Sequence, residues 1–353
     1  PISIFEQLLK SNQKMKALKF ILLFLLVIVI GLAIYIAVQP NSFEVTRTKT
    51  INAPQPVVYN EVIDFENWES WSAWVEEKPD TKITLGDQTD GVGGNYTWED
   101  EDGIGRMKTV DANPFNSITQ EMQFEDFPKS KVTWELNKND NGTTDVKWSI
   151  SGKDLPFVFK FFSTLMGGME SQIGPKYERS LVMLDSVLQV KMNKYSINIE
   201  GVTQHSGGYY LYKTTSCKLT DFQTEMQKEF PKVGAYAIAN NITFAGAPFV
   251  LYEKWDEKNN AVIFSVCIPT NSRIISDDPE ILTGQLESFK AVKTVLMGNY
   301  DNLKEAWDKT MAYIRDNNLE FAEGGSMLEI YPTDPSAVPN PADWKTEIYI
   351  EVK

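Results

Sequence analysis

Hydrophobic positions along this chain follow three rhythms in turn. Positions 18–38, charged only at Lys19, are mostly Leu, Ile, Val, Phe and Ala, and no charge interrupts them from Phe20 onward. About 20 residues at 1.5 Å rise per residue cross the ~30 Å hydrocarbon core of a bilayer, so this run predicts one transmembrane helix. Alternation then takes over. Residues 42–52 read as a strand, and Ala53-Pro54-Gln55-Pro56 leads into a helix through Val57, Val58, Tyr59, Val62 and Phe65. Strands are expected to dominate from there to residue 151. Residues 131–138 and 143–150 flank Asp140-Asn141-Gly142. A two-residue Asn-Gly turn would pair Trp134 with Ser149 and set an apolar face against a polar one. A three-residue loop with Gly142 left-handed instead sets Val132, Trp134 and Leu136 opposite Ile150, Trp148 and Val146, and this is the expected register. The third rhythm is helical: Met169, Ile173, Tyr177, Leu181, Leu184 and Leu188 recur at three- and four-residue steps, with Pro175 expected to kink the helix or begin its regular part. A strand, a helix, a meander and a final long helix predict a curved sheet gripping a helix, in an α+β chain.

Beyond residue 195 the pattern repeats itself at an offset of 77 residues: Tyr236, Asn240, Asn241, Ile242, Phe244 and Ala245 answer to Tyr313, Asn317, Asn318, Leu319, Phe321 and Ala322. Each copy reads as a strand (209–218 or 288–297), a helix and a strand pair (249–255 with 262–268, or 326–331 with 346–352). Thr220 with Gln223, and Asn302 with Glu305, have capping-box spacing at the two helix starts. Two such copies predict a pseudo-twofold pair of sheets with a groove where they meet. At this offset Tyr252 is the counterpart of Glu329, so both should lie beside the axis. Alternation puts Glu329 on one face with Met327 and Tyr331. That face is either exposed, or it holds a pocket carboxylate awaiting a cationic or polarised ligand among aromatic rings.

Charge changes the picture in two ways. Lys10, Lys14 and Lys16 precede the apolar run and Lys19 stands at its start, while the charges after it begin only at Glu44, Arg47 and Lys49. This bias places the N-terminus inside and the bulk of the chain outside the cytoplasm, periplasmic in a double-membrane bacterium. A cleaved signal is the competitor, but signal cores run shorter and end in a small-x-small site, which Ile36-Ala37-Val38-Gln39-Pro40 does not supply. Met15-Lys16-Ala17-Leu18-Lys19 reads like a natural start, so residues 1–14 read as upstream or processed sequence. The chain carries 34 basic and 48 acidic residues, a formal net charge of −14. No basic cluster lies outside the anchor flank, which disfavours a nucleic-acid partner.

Candidate chemistry is sparse. Cys217 and Cys267 sit in apolar, strand-like runs without metal or redox spacing, and read as core thiols or as one disulfide. His205 is the single histidine and lies in a polar loop or strand edge, so a histidine metal site is excluded and a catalytic triad disfavoured. Asp and Glu are unclustered, and neither a metal nor another cofactor is expected. The glycines at 91, 93 and 94 precede no helix that could cradle a phosphate and read as strand or bulge glycines. Trp71, Trp74, Trp98, Trp134 and Trp148 could line a cavity or fill a core.

Two resemblances follow from motifs. Ile51-Asn52-Ala53-Pro54, Trp68-Glu69-Ser70-Trp71-Ser72, Gly91-Val92-Gly93-Gly94-Asn95-Tyr96-Thr97-Trp98 and Gly103-Ile104-Gly105-Arg106-Met107 resemble the polyketide cyclase branch of the START-like (SRPBCC) superfamily. That resemblance implies a helix-grip fold whose cavity usually holds a lipid or other apolar molecule, without implying an enzyme. Ala245-Gly246-Ala247-Pro248-Phe249, Glu329-Ile330-Tyr331-Pro332-Thr333-Asp334-Pro335 and Trp344-Lys345-Thr346-Glu347-Ile348-Tyr349-Ile350 resemble the gyrase-inhibitor-like effector-binding domain, found also in AraC- and MerR-type regulators. By that resemblance Glu329 is the central pocket carboxylate, with Tyr252, Trp255, Tyr331 and Trp307 as its wall. No helix-turn-helix precedes either domain, which disfavours DNA and gyrase as partners.

The expected organisation is a basic segment (1–17), a transmembrane helix (18–38), a START-like domain (42–190) and an effector-binding domain (195–353). The expected function is a membrane-anchored protein that binds small apolar or cationic molecules, through Glu329, Tyr331, Tyr252, Trp255 and Trp307 in one domain and Trp98, Trp134 and Trp148 in the other. Two alternatives stay open: a hydrolase in which Glu329 activates water on a lipophilic substrate, and an envelope scaffold that binds a protein partner.

Overall fold

The computed structural model describes residues 2–353, with side chains described from residue 18 onward. Lys10, Lys14 and Lys16, on which the expected orientation leans, lie outside the described side chains. The chain is α+β and divides into two compact units, residues 1–188 and 189–353.

The first unit opens with α1 (Ile2–Ala37), whose Leu18–Ala37 stretch is long and apolar enough to cross a membrane. Its side chains from Leu18 to Tyr35 are exposed, whereas Ile36 is buried. Then follow β1 (Phe43–Ile51), α2 (Gln55–Ile63), α3 (Ala73–Glu77), β2 (Lys82–Leu85), β3 (Asn95–Asp100), β4 (Gly103–Asn113), β5 (Ser117–Phe124), β6 (Ser130–Lys138), β7 (Thr144–Gly152), α4 (Phe157–Leu165) and α5 (Met169–Met192). The seven strands form one antiparallel sheet, β1-β7-β6-β5-β4-β3-β2. It is a meander whose first strand closes beside its last. Against it α5 buries Ile173, Tyr177, Leu181, Leu184 and Leu188, the stripe that its sequence spacing predicts. Pro175 falls inside this helix, which begins six residues earlier at Met169 rather than at the proline.

The β6–β7 hairpin takes the three-residue loop. Gly142 has φ +82°, and Val132, Trp134 and Leu136 face Ile150, Trp148 and Val146. In this register every indole and aliphatic side chain of the pair points into the core, and the Trp134 and Trp148 rings stack at 4.2 Å. The glycines at 91 and 93 do not lie in a strand. They adopt φ +64° and +104° in the turn before β3, a conformation that a side chain would strain. Sequence alternation also missed α4, a short helix in a region expected to pass straight from strand to long helix.

The second unit comprises β8 (Ser196–His205), β9 (Gly208–Lys218), α6 (Phe222–Ala239), β10 (Phe249–Asp256), β11 (Ala261–Thr270), β12 (Leu282–Leu286), β13 (Phe289–Met297), α7 (Leu303–Asp316), β14 (Met327–Ile330) and β15 (Lys345–Glu351). The repeat is realised, but not as two sheets. Both copies join edge to edge through β10 and β14 in one eight-stranded sheet, β12-β9-β11-β10-β14-β15-β13-β8. Leu251 pairs with Leu328, its own counterpart at the 77-residue offset, so the pseudo-twofold axis passes between them. The flanking strands exchange: β8 adds to β13 of the second copy and β12 to β9 of the first.

This exchange dictates curvature. β8 and β9 belong to opposite halves of the sheet yet are linked by residues 206 and 207 alone, and β12 and β13 by residues 287 and 288. Links that short require the strand ends to meet, so the sheet curls. Its inner face buries Tyr210, Phe249, Cys267, Phe289, Leu328 and Tyr349 without any helix over them. The outer face carries α6 and α7 over Val250, Phe264, Val266, Val292, Leu296 and Ile348.

Neither expected capping box forms. Each helix is entered through a 3-10 turn, residues 219–221 or 300–302, which moves the first helical residue past Thr220 and leaves Asn302 without a capping hydrogen bond from its side chain. Before α7 the role passes to Asn299, whose side chain accepts from the Asp301 amide. Cys217 and Cys267 are free thiols, placed on opposite faces of the sheet, so the disulfide alternative falls. His205 ends β8; its ring stacks on Phe289 while Nδ1 accepts from the Gly207 amide, and burial lowers its pKa.

Candidate functional site

Glu329 sits in the short strand β14, one pair away from the axis, opposite Val250. Alternation turns it to the helix-covered face together with Met327 and Tyr331. It is 2% exposed, which overturns the exposed-face alternative. The Trp307 indole Nε1, from α7, donates to Oε1, and the Tyr331 hydroxyl donates to Oε2 at 2.5 Å. The Tyr252 hydroxyl, on the counterpart residue across the axis, also bonds the carboxylate. Burial raises the Glu329 pKa, and these three donors pull it back without cancelling the rise. Among the described residues no Lys, Arg or His forms an ion pair with it.

Rings close around this carboxylate. Tyr252 meets Trp307 edge-on at 5.5 Å, and Tyr300 and Phe230 meet Tyr331 edge-on at 5.6 and 6.0 Å. Burial pushes the Tyr252 and Tyr331 hydroxyls well up, reinforced by the neighbouring Glu329 charge, and Tyr300 up to about 12. All three phenols are therefore neutral donors at ordinary pH. Of the expected wall, Tyr252, Tyr331 and Trp307 touch the carboxylate directly. Trp255 stands outside this inner set: it is 47% exposed and packs edge-on against Tyr252 and Phe222. Tyr300, Phe230 and Trp344, which stacks at a tilt on Tyr300, were not anticipated. Of these, Trp344 opens the C-terminal motif of the second resemblance, which is the signal that could have pointed to it.

The first unit holds a second candidate of another kind, a cavity of about 560 Å³ between sheet and helices. Trp71, Trp74, Trp98 and Trp148 line it, with Tyr96, Tyr177 and a run of Met and Phe residues. Trp134 lies behind Trp148 in the core, fully buried, its Nε1 donating to Gln120 Oε1. It is thus a packing residue one layer removed from the wall. The buried Nε1 atoms of Trp71 and Trp148 have no hydrogen-bond partner, a cost of roughly 1–3 kcal/mol each. Trp98 takes its place because Gly105, opposite it on β4, leaves room: a methyl group there would overlap the indole. Among the described residues no group of three or more His, Cys, Asp or Glu side chains is placed to hold a metal ion.

Comparison with known proteins assigns both regions. Residues 42–189 match the family model described as polyketide cyclase / dehydrase and lipid transport. Residues 209–353 match the one described as GyrI-like small molecule binding domain. No curated protein matches the chain. Solved structures that resemble it include the EcmrR C-terminal domain (20% identity, 45% of this chain and 98% of that one, TM-score 0.40). SAV2435 bound to tetraphenylphosphonium is similar at 12% identity, over 45% of this chain and 94% of that one, TM-score 0.35. Protein CV1439 from Chromobacterium violaceum is similar at 15% identity, over 42% and 97%, TM-score 0.30. In chain order, an N-terminal apolar helix is followed by a region that matches the polyketide cyclase / dehydrase and lipid transport model and by one that matches the GyrI-like small molecule binding domain model.

Proposed function

We propose that this protein is a membrane-anchored, extracytoplasmic binder of small molecules, taking an apolar ligand in its first domain and a lipophilic cation at Glu329 in its second. The observation that carries the proposal is the buried carboxylate itself. A charge held out of water with donors but no counter-cation is costly, and a cation brought against it recovers that cost while gaining attraction from the ring faces. Rings of Tyr252, Trp307 and Tyr331 exclude strongly hydrated ions and favour a cation whose own surface is apolar.

The cavity supports the other half of the reading. An apolar void left dry costs on the order of 24 cal/mol per Å³. At about 560 Å³ that would reach ~13 kcal/mol, as much as a whole domain's stability, so solvent or ligand must fill it. Its indole, Met and Phe lining favours a ligand with a largely apolar surface.

The hydrolase alternative asks Glu329 to take a proton from water. Both of its oxygens already accept from Trp307 and Tyr331, which favours a binding role. The test is thermal stabilisation of the full chain in lipid nanodiscs by tetraphenylphosphonium, used as a lipophilic cation, beside Glu329→Gln. A native-state ligand at a hundredfold excess over Kd adds about 2.7 kcal/mol. The reading expects that gain in the parent protein and its loss in the variant; an equal response in both, or none in either, removes it.

A further inference from the structure

The short helix α4 presents a face that the fold itself does not use. Phe157, Val158, Phe162, Leu165 and Met166 are all about half exposed or more, at one site on the first domain. A soluble protein rarely leaves five large apolar side chains together on nine or ten residues. Phe162 and Met166 also line the 560 Å³ cavity, as do Phe159 and Ser163. Side chains that line a cavity and are exposed at once mark where it reaches the surface, so α4 forms one lip of its mouth.

What covers this face is indicated by its neighbour. Lys160, on the opposite side of α4, donates from Nζ to the Gln39 carbonyl at 3.0 Å and the Ala37 carbonyl at 3.4 Å. These are the carbonyls at the C-terminal end of α1, where a cation is favoured both as a cap and by the helix dipole. The Leu155 amide donates to Asn41, and Phe159 stacks on Phe43 just beyond. Together with buried Ile36 these contacts fix α4 beside the last turn of the apolar span. If that span ends at the membrane surface, α4 can lie nowhere but at the same depth.

We propose that α4 is an interfacial helix seated at the headgroup–acyl boundary of the bilayer that holds α1, and that it turns the mouth of the cavity toward lipid. Its ligand is then drawn from the membrane, an amphiphile whose chain enters past Phe162 and Met166. This rests on the anchoring reading above. An amphipathic helix of this kind buries its apolar face roughly 5–10 Å below the headgroups, and α4 needs no affinity of its own to stay there because α1 tethers it.

Depth can be read with nitroxide labels in the full chain in liposomes, in a Cys217→Ser background where fully buried Cys267 stays unlabelled. Single variants Phe162→Cys, Leu165→Cys, Val29→Cys and Asn141→Cys report on α4, on α1 and on the hairpin at the far end of β7. The expected result is oxygen-dominated relaxation at 162 and 165 at shallow depth, deeper burial at 29 and full access of an aqueous nickel relaxant at 141. Label 29 in the bilayer with 162 and 165 as accessible as 141 overturns the interfacial helix alone. Label 29 in water overturns the anchoring reading beneath it. Shielding of 162 and 165 from both relaxants overturns the proposal in favour of a protein covering this face.

Discussion

The two domains bury their most distinctive groups by opposite means. In the first, indoles surround space, and two of their donors go unmet; in the second, rings and three donors converge on one carboxylate, both of whose oxygens accept. Space without charge selects by shape and oiliness. Charge without water selects by sign. On the function proposed above, one chain carrying both would tell apart ligands that a single pocket would confuse.

The sharpest way to break this comparison is to remove a ring from the cavity wall. Trp148 stacks between Trp134 and Tyr177, at 4.2 and 3.6 Å, so Trp148→Ala should cost about 3–5 kcal/mol. Calorimetry should show the loss in the unfolding of the first domain, while tetraphenylphosphonium binding to the second stays unchanged. Loss of both would mean that the domains do not act separately.

Next in size is the charge. Glu329→Gln should weaken the cation by about 2–5 kcal/mol, on the order of 30-fold or more in Kd, without lowering the stability of the unliganded protein. Titrating the same group gives a graded version. Burial raises the folded pKa above the unfolded value, so between the two the native state keeps a proton that the unfolded state has released. Without ligand, stability should fall as pH rises through that window, and cation affinity should rise with it. Measured against Glu329→Gln, which leaves every other titrating group in place, the parent's relative stability should therefore fall and its relative cation affinity rise as pH climbs above the ordinary carboxylate range.

The smallest effect sharpens the picture of the donors. Trp307→Phe keeps a ring but removes the bond to Oε1, a loss of roughly 1.5–3 kcal/mol for a bond to a charged group. Because that bond favours the ionised form, the pH midpoint of cation binding should move upward. An unchanged midpoint would show that Tyr331 and Tyr252 alone set the carboxylate's protonation.

Periodicity made most of this fold readable. The β6–β7 register followed from the apolar faces carrying Trp134 and Trp148, since the competing turn would have set one of those faces against the polar face of the other strand. The repeat offset put Tyr252 and Glu329 beside the axis, and each lies one residue from the Leu251–Leu328 pair through which it passes. What stayed hidden was whatever depends on the arrangement of strands in space. The strand exchange of β8 and β12 leaves no local mark, so one curled sheet was taken for two. Capping boxes at Thr220 and Asn302 have the right letters but lie inside 3-10 turns, where the Thr220 hydroxyl donates to Asp221 and the Asn302 side-chain amide to the Asn299 carbonyl instead. Trp134 and Trp148 alternate identically along their strands, and only the packing of α5 decides which one fronts the cavity. Helix α4 was lost because its apolar residues face outward, against the pattern that finds core helices.

The axis between Leu251 and Leu328 has a consequence for counting. Duplication offers two equivalent positions for a charged group, and this sequence fills one with Glu329 and the other with the neutral phenol of Tyr252. The symmetric frame therefore carries an asymmetric head, and its twin lends a hydrogen bond in place of a second charge. Titration with a lipophilic cation should saturate at one equivalent per chain at this site, and the bound ion should have a single orientation, although the backbone around it could have accommodated two.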